Sequence, residues 1–255
     1  MNRNIRLIIA YNGAKYHGFQ KQPGKATIQG TLESSLEKVL YSPVKVTGCS
    51  RTDTGVHARE YVCGFSLCNA IPPEKLTLAL ENVLPEDIAV LDLSEVPADF
   101  HARRSVAAKE YVYLFDTRAG KDVFMSGKVY RYPHEIDVER LNRAAKIFTG
   151  THDFTAFSKT DPSLKRQNKT VNPVKTILSS NVHASAIHET IIEFSVMGSG
   201  FLYNMVRIMA GTLILLNENK IKEADITEML ERKSDVTGKN VLPGCGLYLN
   251  RVFLK

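Results

Sequence analysis

Residues 51–57, with the sequence RTDTGVH, bring a guanidinium, a carboxylate and an imidazole together within seven positions. Arg51 and Asp53 are two positions apart, so their side chains share a face wherever the backbone is extended. Gly55 indicates a turn that needs a positive φ or a close backbone approach. A lone aspartate in a turn more often caps the turn than takes part in chemistry. The whole heptapeptide argues against that reading here, and we expect Asp53 to do covalent or proton-transfer work at the end of a sheet.

An aspartate with such a role should be ionised yet shielded from water, and a nearby guanidinium stabilises the charged form. Arg51 is one candidate for that charge. Arg207 is another, because it lies in the otherwise apolar segment 202–211. An arginine in such a segment either pairs with a carboxylate or extends to solvent, and we favour the pairing. Tyr111 is a core residue by default, but its ring and hydroxyl would suit it to hold an extruded base.

Several familiar catalytic patterns do not occur in the sequence, among them GxxxxGK[ST], a GxGxxG that opens a helix, HExxH and GxSxG. The seven histidines are scattered, and the four cysteines form no CxxC pair. We therefore expect a reaction that needs neither a metal nor a cofactor. The cysteine usage favours a reducing compartment, and the apolar runs are too short for a signal peptide or a membrane span. A cytoplasmic protein without membrane attachment is the simplest expectation.

The charge balance favours a polyanionic partner without proving one. The 255 residues include 33 Lys and Arg against 27 Asp and Glu, which gives a net charge of +6. Residues 158–172 form the most polar stretch and include Lys159, Lys165, Arg166 and Lys169. We expect a surface loop there, which either is merely solvated or contacts phosphates.

The first half of the chain reads as β-α-β-β-α-β, the order of a ferredoxin-like unit. Strands are predicted at residues 5–11, 44–50, 61–67 and 88–93. A first helix carries apolar residues at helical spacing from Ile28 to Val39, with Thr27 as its N-cap. A second helix begins at Pro72 and Pro73 and carries Leu76, Leu80 and Val83. The Asp53 segment then joins two neighbouring strands.

The second half has a similar outline. Strands are predicted at residues 109–115, 174–180, 190–197 and 246–254, and helices around Leu141 and at residues 201–217 and 223–232. The predicted fold class is α+β, with two ferredoxin-like halves at 1–103 and 104–255 and mostly antiparallel sheets. The first half carries the Asp53 loop, and the second carries the Tyr111 strand and the Arg207 helix.

The stretch GCSRTDTGVHA at residues 48–58 resembles the catalytic motif of the tRNA pseudouridine synthase A (TruA) family. Further stretches resemble its other signatures, in order along nearly the whole chain. They are YNGAKYHGFQ at 11–20 with TIQGTLE at 27–33, FHAR at 100–103 with KEYVY at 109–113, GTHDFTAFS at 150–158, GFLYNMVR at 200–207 and GLYL at 246–249. The segment 165–172 fits the family pattern poorly.

The resemblance implies an isomerase that converts uridine to pseudouridine in the anticodon arm of tRNA, typically at positions thirty-eight to forty. It implies that Asp53 is the catalytic aspartate, Arg207 its basic partner, and Tyr111 the aromatic that contacts the target uridine. Arg51 would displace or hold RNA. We expect further substrate contacts from Thr52, Gly55, Val56, His57, Phe201, Leu202 and Arg103.

The resemblance also implies a homodimer, and two halves whose sheets join into one extended central sheet with the active-site cleft between them. No cofactor or metal is expected. A tRNA-binding or chaperone-like module without catalysis is the main alternative, because the basic charge would serve it equally well. A hydrolase or nucleotide-binding enzyme on a ferredoxin-like fold has no motif to support it.

Overall fold

The computed structural model describes residues 3–160, 171–186, 188–232 and 239–255. Within these ranges the chain forms ten strands and five α-helices, so the predicted α+β class is confirmed. It divides into two compact units, Met1–Ala107 with Tyr248–Lys255, and Ala108–Leu247. The halves expected at 1–103 and 104–255 stay a prediction.

The first unit has the predicted β-α-β-β-α-β order. Its elements are β1 (Arg3–Tyr11), α1 (Ile28–Leu40), β2 (Thr47–Gly48), β3 (His57–Leu67), α2 (Pro73–Glu81), β4 (Ile88–Val96) and the last strand of the chain, β10 (Leu247–Leu254). Strand β1 lies antiparallel between β3 and β4. Both β2 and β10 pair with the opposite edge of β3, β2 antiparallel and β10 parallel. This is the strand order of a ferredoxin-like sheet with one strand added.

Local sequence explains most of these elements. Ile5, Leu7 and Ile9 alternate along β1 and are buried, which is the period of a strand with one face in the core. The predicted N-cap of α1 is confirmed, because Thr27 Oγ1 accepts a hydrogen bond from the Gly30 N–H at 3.3 Å. Proline at the first position of α2 fits the predicted start of that helix.

Strand β2 is shorter than predicted, since only Thr47 and Gly48 of the expected strand 44–50 pair with β3. Strand β10 occupies the same edge of β3 at His57 and Ala58, whereas β2 occupies it at Cys63 and Gly64. After a hydrogen bond from the Cys49 N–H to the Val62 carbonyl at 2.9 Å, the chain leaves the ladder. The residues that follow therefore form a loop rather than a strand.

The second unit contains a four-stranded antiparallel sheet in the order β5-β9-β8-β7, with a short strand β6 parallel to β5. Its elements are β5 (Val106–Asp116), β6 (Tyr130–Arg131), α3 (Val138–Lys146), β7 (Gly150–Asp153), β8 (Val174–Ala184), β9 (Ile191–Gly198), α4 (Met205–Asn217) and α5 (Glu223–Arg232). Strands β6 and β7 were not predicted, because two and four residues are too few to give a periodic pattern.

Helix α4 begins at Met205, four residues later than predicted. Asn204 has a φ of 61°, in the left-handed region that cannot continue a helix. The Met205 N–H instead donates to the Leu202 carbonyl at 3.1 Å, so the residues before α4 form a turn. Phe201 and Leu202 consequently lie on this turn and not on the helix. None of the helices in the described ranges has the length and apolar character needed to span a membrane.

Candidate active site

Asp53 stands at the start of a tight turn that ends at β3. The Val56 N–H donates to the Asp53 carbonyl at 3.2 Å, and Gly55, the third residue of the turn, has a φ of 76°. A positive φ at that position is the type II pattern, which favours glycine, so the prediction for Gly55 is confirmed. Asp53 is half-buried between Thr52, which is buried, and Thr54, which is exposed. The loop thus presents one carboxylate at the end of the sheet.

The segment from Tyr11 to Phe19 forms the support for this loop. The Gly55 N–H donates to the Tyr16 carbonyl at 3.2 Å, and the Phe19 N–H donates to the Thr52 carbonyl at 3.3 Å. The hydroxyls of Tyr11 and Thr52 lie 2.9 Å apart, in a buried hydrogen bond. Contacts therefore hold the backbone on both sides of Asp53, so the loop that carries the carboxylate is fixed before any substrate arrives.

Two glycines of this supporting segment allow the close approach. A Cβ on Gly13 would lie 1.9 Å from the Val56 carbonyl oxygen, and one on Gly18 would lie 2.2 Å from the Thr52 carbonyl oxygen. Gly18 also has a φ of 84°. Any larger residue would have to push the backbone of the Asp53 loop away.

His57 closes the loop at the first residue of β3. Its side chain is buried, with 1% of its surface exposed, and its Nδ1 accepts a hydrogen bond from the Gly13 N–H at 3.0 Å. The neutral ring therefore carries its proton on Nε2. The ring stacks on Tyr248, its register partner on β10, with centroids 4.6 Å apart. These contacts make His57 a support of the loop, while its expected contact with substrate stays a prediction.

Residues 48–50, which precede the loop, pack against a stacked aromatic pair. The rings of Phe19 and Tyr61 stack with centroids 4.3 Å apart, and the Tyr61 hydroxyl donates to the Ser50 carbonyl. A Cβ on Gly48 would lie 2.1 Å from that hydroxyl oxygen. Burial raises the pKa of Tyr61 well above its usual value, so this hydroxyl stays a hydrogen-bond donor.

Arg51 and Arg103 are both exposed, which suits side chains expected to contact RNA. Arg103 lies in a turn whose backbone is held by His101, with the Arg103 N–H donating to His101 Nδ1 at 3.1 Å. Arg59, which was not singled out from the sequence, lies over the Tyr248 ring at 5.1 Å. The roles expected for Arg51 and Arg103 stay predictions.

In the second unit, Tyr111 and Phe201 meet edge to face. Their ring centroids are 5.0 Å apart and the rings cross at 80°. Tyr111 lies on β5, whereas Phe201 lies on the turn before α4, so the two signature segments meet at this aromatic pair. Tyr111 is 6% exposed. Tyr113 is a core residue, as expected, and its hydroxyl donates to the Pro243 carbonyl at 2.8 Å.

Arg207 is half-buried on the first turns of α4. Its Nε donates to the Leu242 carbonyl at 2.6 Å, and the Leu242 N–H donates to the Arg207 carbonyl at 3.4 Å. A Cβ on Gly211 would lie 2.0 Å from the Asn240 carbonyl oxygen, so the segment containing Asn240 and Leu242 packs closely on α4. The guanidinium is oriented by this segment. Its expected pairing with a carboxylate stays a prediction.

Burial raises the pKa of Cys245, next to this segment, while the Arg207 charge acts in the opposite direction.

Of the polar stretch 158–172, Lys159 is exposed and its N–H donates to the Tyr203 carbonyl at 3.1 Å. Lys165, Arg166 and Lys169 lie outside the described residues.

A protein-family model described as tRNA pseudouridine synthase matches residues 7–103 and 144–253, which include the Asp53 loop and the Arg207 helix. The chain belongs to the tRNA pseudouridine synthase family. A "tRNA pseudouridine synthase A 2" from Clostridium tetani is 40% identical over 255 residues, covering 99% of both chains. A "tRNA pseudouridine synthase A" from Clostridium acetobutylicum is 37% identical over 250 residues, covering 98% of this chain and 99% of the relative. A protein with that name from Acetivibrio thermocellus is also 37% identical, over 251 residues.

Membership of the tRNA pseudouridine synthase family makes the chain an isomerase, as predicted. The match also explains why stretches far apart in sequence carry signatures. Those at 11–20, 48–58 and 246–249 meet around the Asp53 loop, and those at 109–113 and 200–207 meet at Tyr111 and Phe201. Within the described ranges, no group of three or more His, Cys, Asp or Glu side chains is arranged to hold a metal ion.

The residues that support the Asp53 loop and were not singled out from the sequence include Tyr11, Gly13, Gly18 and Tyr248. Three of them lie in the stretch YNGAKYHGFQ, and the fourth lies in GLYL. The signal was therefore present as a family signature. Its physical meaning, a support for the Asp53 loop, required the structure.

Proposed function

We propose that this isomerase converts uridine to pseudouridine in the anticodon arm of tRNA and that Asp53 is its catalytic carboxylate. The observation that carries the proposal is the Asp53 loop itself. A half-buried carboxylate lies on a loop whose backbone is hydrogen-bonded on both sides of Asp53, and the Tyr11–Thr52 hydroxyl pair and the buried His57 ring, stacked on Tyr248, support that loop. A turn with a purely structural role does not need this combination of backbone bonds, a buried hydroxyl pair and a stacked imidazole.

The reaction requires no net oxidation and no group transfer to another molecule. The bond between uracil N1 and ribose C1′ breaks, the base rotates, and a new bond forms between C5 and C1′. The hydrogen on C5 leaves as a proton, and N1 gains one. Positive charge develops at the sugar while the first bond breaks, and a carboxylate next to the sugar stabilises that charge, as in glycoside hydrolysis.

Asp53 can act by either of two routes. Its carboxylate attacks C1′ and forms a covalent intermediate, or it removes a ribose proton and leaves a glycal. Both routes need the carboxylate within reach of the ribose, and both need water kept away from the intermediate. Thr52 and Val56, which are buried on either side of the turn, support this exclusion of water.

Tyr111 is proposed to contact the target uridine after it leaves its stack. Extruding a base costs a few kcal/mol, and contacts with an aromatic ring and with the backbone offset that cost. Phe201, at 5.0 Å and nearly perpendicular, fixes the orientation of the Tyr111 ring. Leu202 follows on the same turn and is half-buried, which suits a contact with the nucleoside.

Arginines are proposed to supply the positive charge. Arg207 is the basic partner of the catalytic carboxylate in this proposal, and its orientation by the Leu242 carbonyl supports a fixed role. Arg51 and Arg103, both exposed, bind the RNA backbone. The protein acts as a homodimer in the cytoplasm, where its tRNA substrate is found.

Pseudouridine mapping tests this function directly. Unmodified tRNA transcripts are incubated with the protein, treated with a carbodiimide that leaves a stable adduct on pseudouridine, and read by primer extension. Stops confined to the anticodon arm are expected. Stops elsewhere in the tRNA would overturn the substrate assignment. Binding of tRNA with no stops would favour the non-catalytic module.

A further inference from the structure

A cavity of about 140 Å³ opens in the first unit at the end of β3 that is distant from the Asp53 loop. Its side-chain walls are Asn4, Lys45, Thr47, Ser66, Phe100 and His101. The cavity entrance is seven to nine residues along β3 from His57, which corresponds to roughly 25 Å at the rise of an extended strand. It is therefore separate from the loop that carries Asp53.

The strand register explains why polar groups converge there. Asn4 is the partner of Ser66, and Thr47 is the partner of Gly64, so these positions share one face of the sheet. Ile5 and Phe65 alternate with them, are buried, and also belong to the lining of the cavity. Gly64 leaves room on the polar face, because a Cβ there would lie 3.2 Å from the Phe100 ring.

Three side chains of the cavity can donate to a ligand, those of Lys45, Thr47 and His101. Asn4 and Ser66 bond within the protein, since Ser66 Oγ donates to Asn4 Oδ1 at 3.2 Å and Asn4 Nδ2 donates to the Ala98 carbonyl at 2.9 Å. Nδ1 of His101 accepts from the N–H groups of Arg103 and Arg104, at 3.1 and 3.4 Å, so the ring carries a proton on Nε2. Lys45 is exposed and makes no ion pair with the described residues. None of the residues that line the cavity is acidic.

The charges next to the cavity are mostly positive, although the exposed Asp99 directly precedes Phe100. Arg6 is the partner of Gly64 on the same face, but its guanidinium is paired with Asp92 at 2.9 Å and adds little net charge. Arg103 and Arg104 follow His101 and are both exposed. A donor-lined cavity flanked by exposed arginines is suited to an oxyanion held on a larger molecule.

We propose that this cavity binds a backbone phosphate of the RNA substrate at a site remote from the reacting uridine. The proposal rests on the proposed function, since it assigns a second contact to the same tRNA. The ammonium of Lys45 and the Nε2–H of His101 hold the phosphate oxygens, and the Thr47 hydroxyl adds a third donor. Such a contact sets the register of the tRNA on the enzyme and does not take part in the chemistry.

The test compares Lys45→Gln and Thr47→Val with Lys75→Gln. Lys75 is an exposed lysine on α2, so its replacement makes the same change in net charge away from the cavity. The affinity for unmodified tRNA is measured against NaCl concentration. Lys45→Gln should weaken binding about tenfold near 0.15 M salt, as expected for a charge-assisted hydrogen bond. The slope of log K against log salt should fall by about one.

The variants separate this contact from other effects. Thr47→Val should weaken binding without changing the salt slope, and Lys75→Gln should change neither quantity. At saturating tRNA the rate constant of Lys45→Gln should equal that of the unaltered protein, with the loss confined to KM. Equal effects of Lys45→Gln and Lys75→Gln would overturn the proposal, because they would show only general charge attraction.

A second experiment uses inorganic phosphate to test whether the cavity binds free phosphate. If phosphate perturbs the Gly64 and Ser66 amide signals in NMR spectra while Lys45→Gln leaves tRNA binding unchanged, the cavity is a site for free phosphate and the proposal is wrong. Release of tritium from tRNA that carries 5-tritiated uridine reports the proposed function independently. If the protein releases tritium and its tRNA affinity does not change in Lys45→Gln, the remote phosphate site is wrong and the proposed function stands. If Lys45→Gln weakens tRNA binding but the unaltered protein releases no tritium, the catalytic assignment is wrong and the remote phosphate site stands.

Discussion

The buried hydrogen bond between Tyr11 and Thr52 connects the end of β1 to the residue before Asp53. Its removal should lower the rate constant of the reaction. The two hydroxyls are 2.9 Å apart, and both residues are at most 9% exposed. Tyr11→Phe and Thr52→Val each remove one hydroxyl with little change in shape. A buried polar group that loses its partner costs about 1–3 kcal/mol. Each single variant should therefore lose about that much free energy of unfolding.

The double variant decides whether the two residues act as a pair. With both hydroxyls removed, no polar group of this pair is left buried, so the combined loss should be smaller than the sum of the two single losses. A coupling free energy of about 1 kcal/mol or more is expected. Urea unfolding measures it, provided that the slope m stays constant across the four proteins.

Single-turnover tritium release then separates positioning from substrate contact. If Thr52 positions the loop, Thr52→Val should lower the rate constant in the unaltered protein but add little in the Tyr11→Phe background, and KM should change little in either. If the Thr52 hydroxyl contacts RNA, Thr52→Val should raise KM equally in both backgrounds. Additive free energies, with a coupling below about 0.3 kcal/mol, would refute the positioning argument.

Three further predictions concern the loop support, the aromatic pair and the thiols. Gly18→Ala should destabilise the protein and lower its activity, because the new Cβ would lie 2.2 Å from the Thr52 carbonyl oxygen. Gly24→Ala is the control: Gly24 also has a positive φ, but nothing lies within 4 Å of its Cβ position. This variant should lose only about 1–2 kcal/mol of the free energy of unfolding and keep its activity. Tyr111→Phe should keep most of the activity, whereas Tyr111→Ala should be about 10- to 100-fold slower than Tyr111→Phe, and equal rates would contradict a stacking role. Burial raises the pKa of the Cys63 thiol, so this thiol forms less thiolate at a given pH than an exposed thiol. Iodoacetamide at pH 8 should therefore label the exposed Cys68 in the native protein and Cys63 only after unfolding, as measured by mass spectrometry. Labelling of both cysteines at one rate in the native protein would be inconsistent with the fold.

Local patterns predicted much of the fold because they are set by neighbours in sequence. Thr27 was identified as a cap, and Gly55 as a turn residue that needs a positive φ or a close backbone approach. The cap and the positive φ are both confirmed. These features depend on side chains within a few positions of each other. The β-α-β-β-α-β order of the first unit followed from hydrophobic periodicity in the same way.

Non-local contacts limited the rest. Strand β10, from the far end of the chain, pairs with the same edge of β3 as β2, and no local pattern indicates that pairing. Helix α4 starts late because Asn204 adopts a left-handed conformation, which its sequence neighbours did not indicate. This shift changes the site, since it places Phe201 on a turn where it meets Tyr111.

The candidate site was predicted as a set of residues but not as an arrangement. Asp53 was singled out from residue types alone, whereas the roles of Gly13 and Gly18 depend on which backbone passes within 2–3 Å of them. The contact of His57 with substrate stays a prediction, and the sequence did not indicate that its buried ring accepts the Gly13 N–H and stacks on Tyr248. An imidazole in a sequence motif gives no sign of which of these positions it will take.

The account depends most on the carboxylate of Asp53, and tritium release from 5-tritiated uridine in tRNA tests it most directly. Asp53→Asn keeps the size of the side chain and removes its charge; Glu37→Gln makes the same change at an exposed position on α1. We expect Asp53→Asn to bind tRNA and to release no tritium above background, while Glu37→Gln releases it at the unaltered rate. Near-normal release by Asp53→Asn would contradict the account.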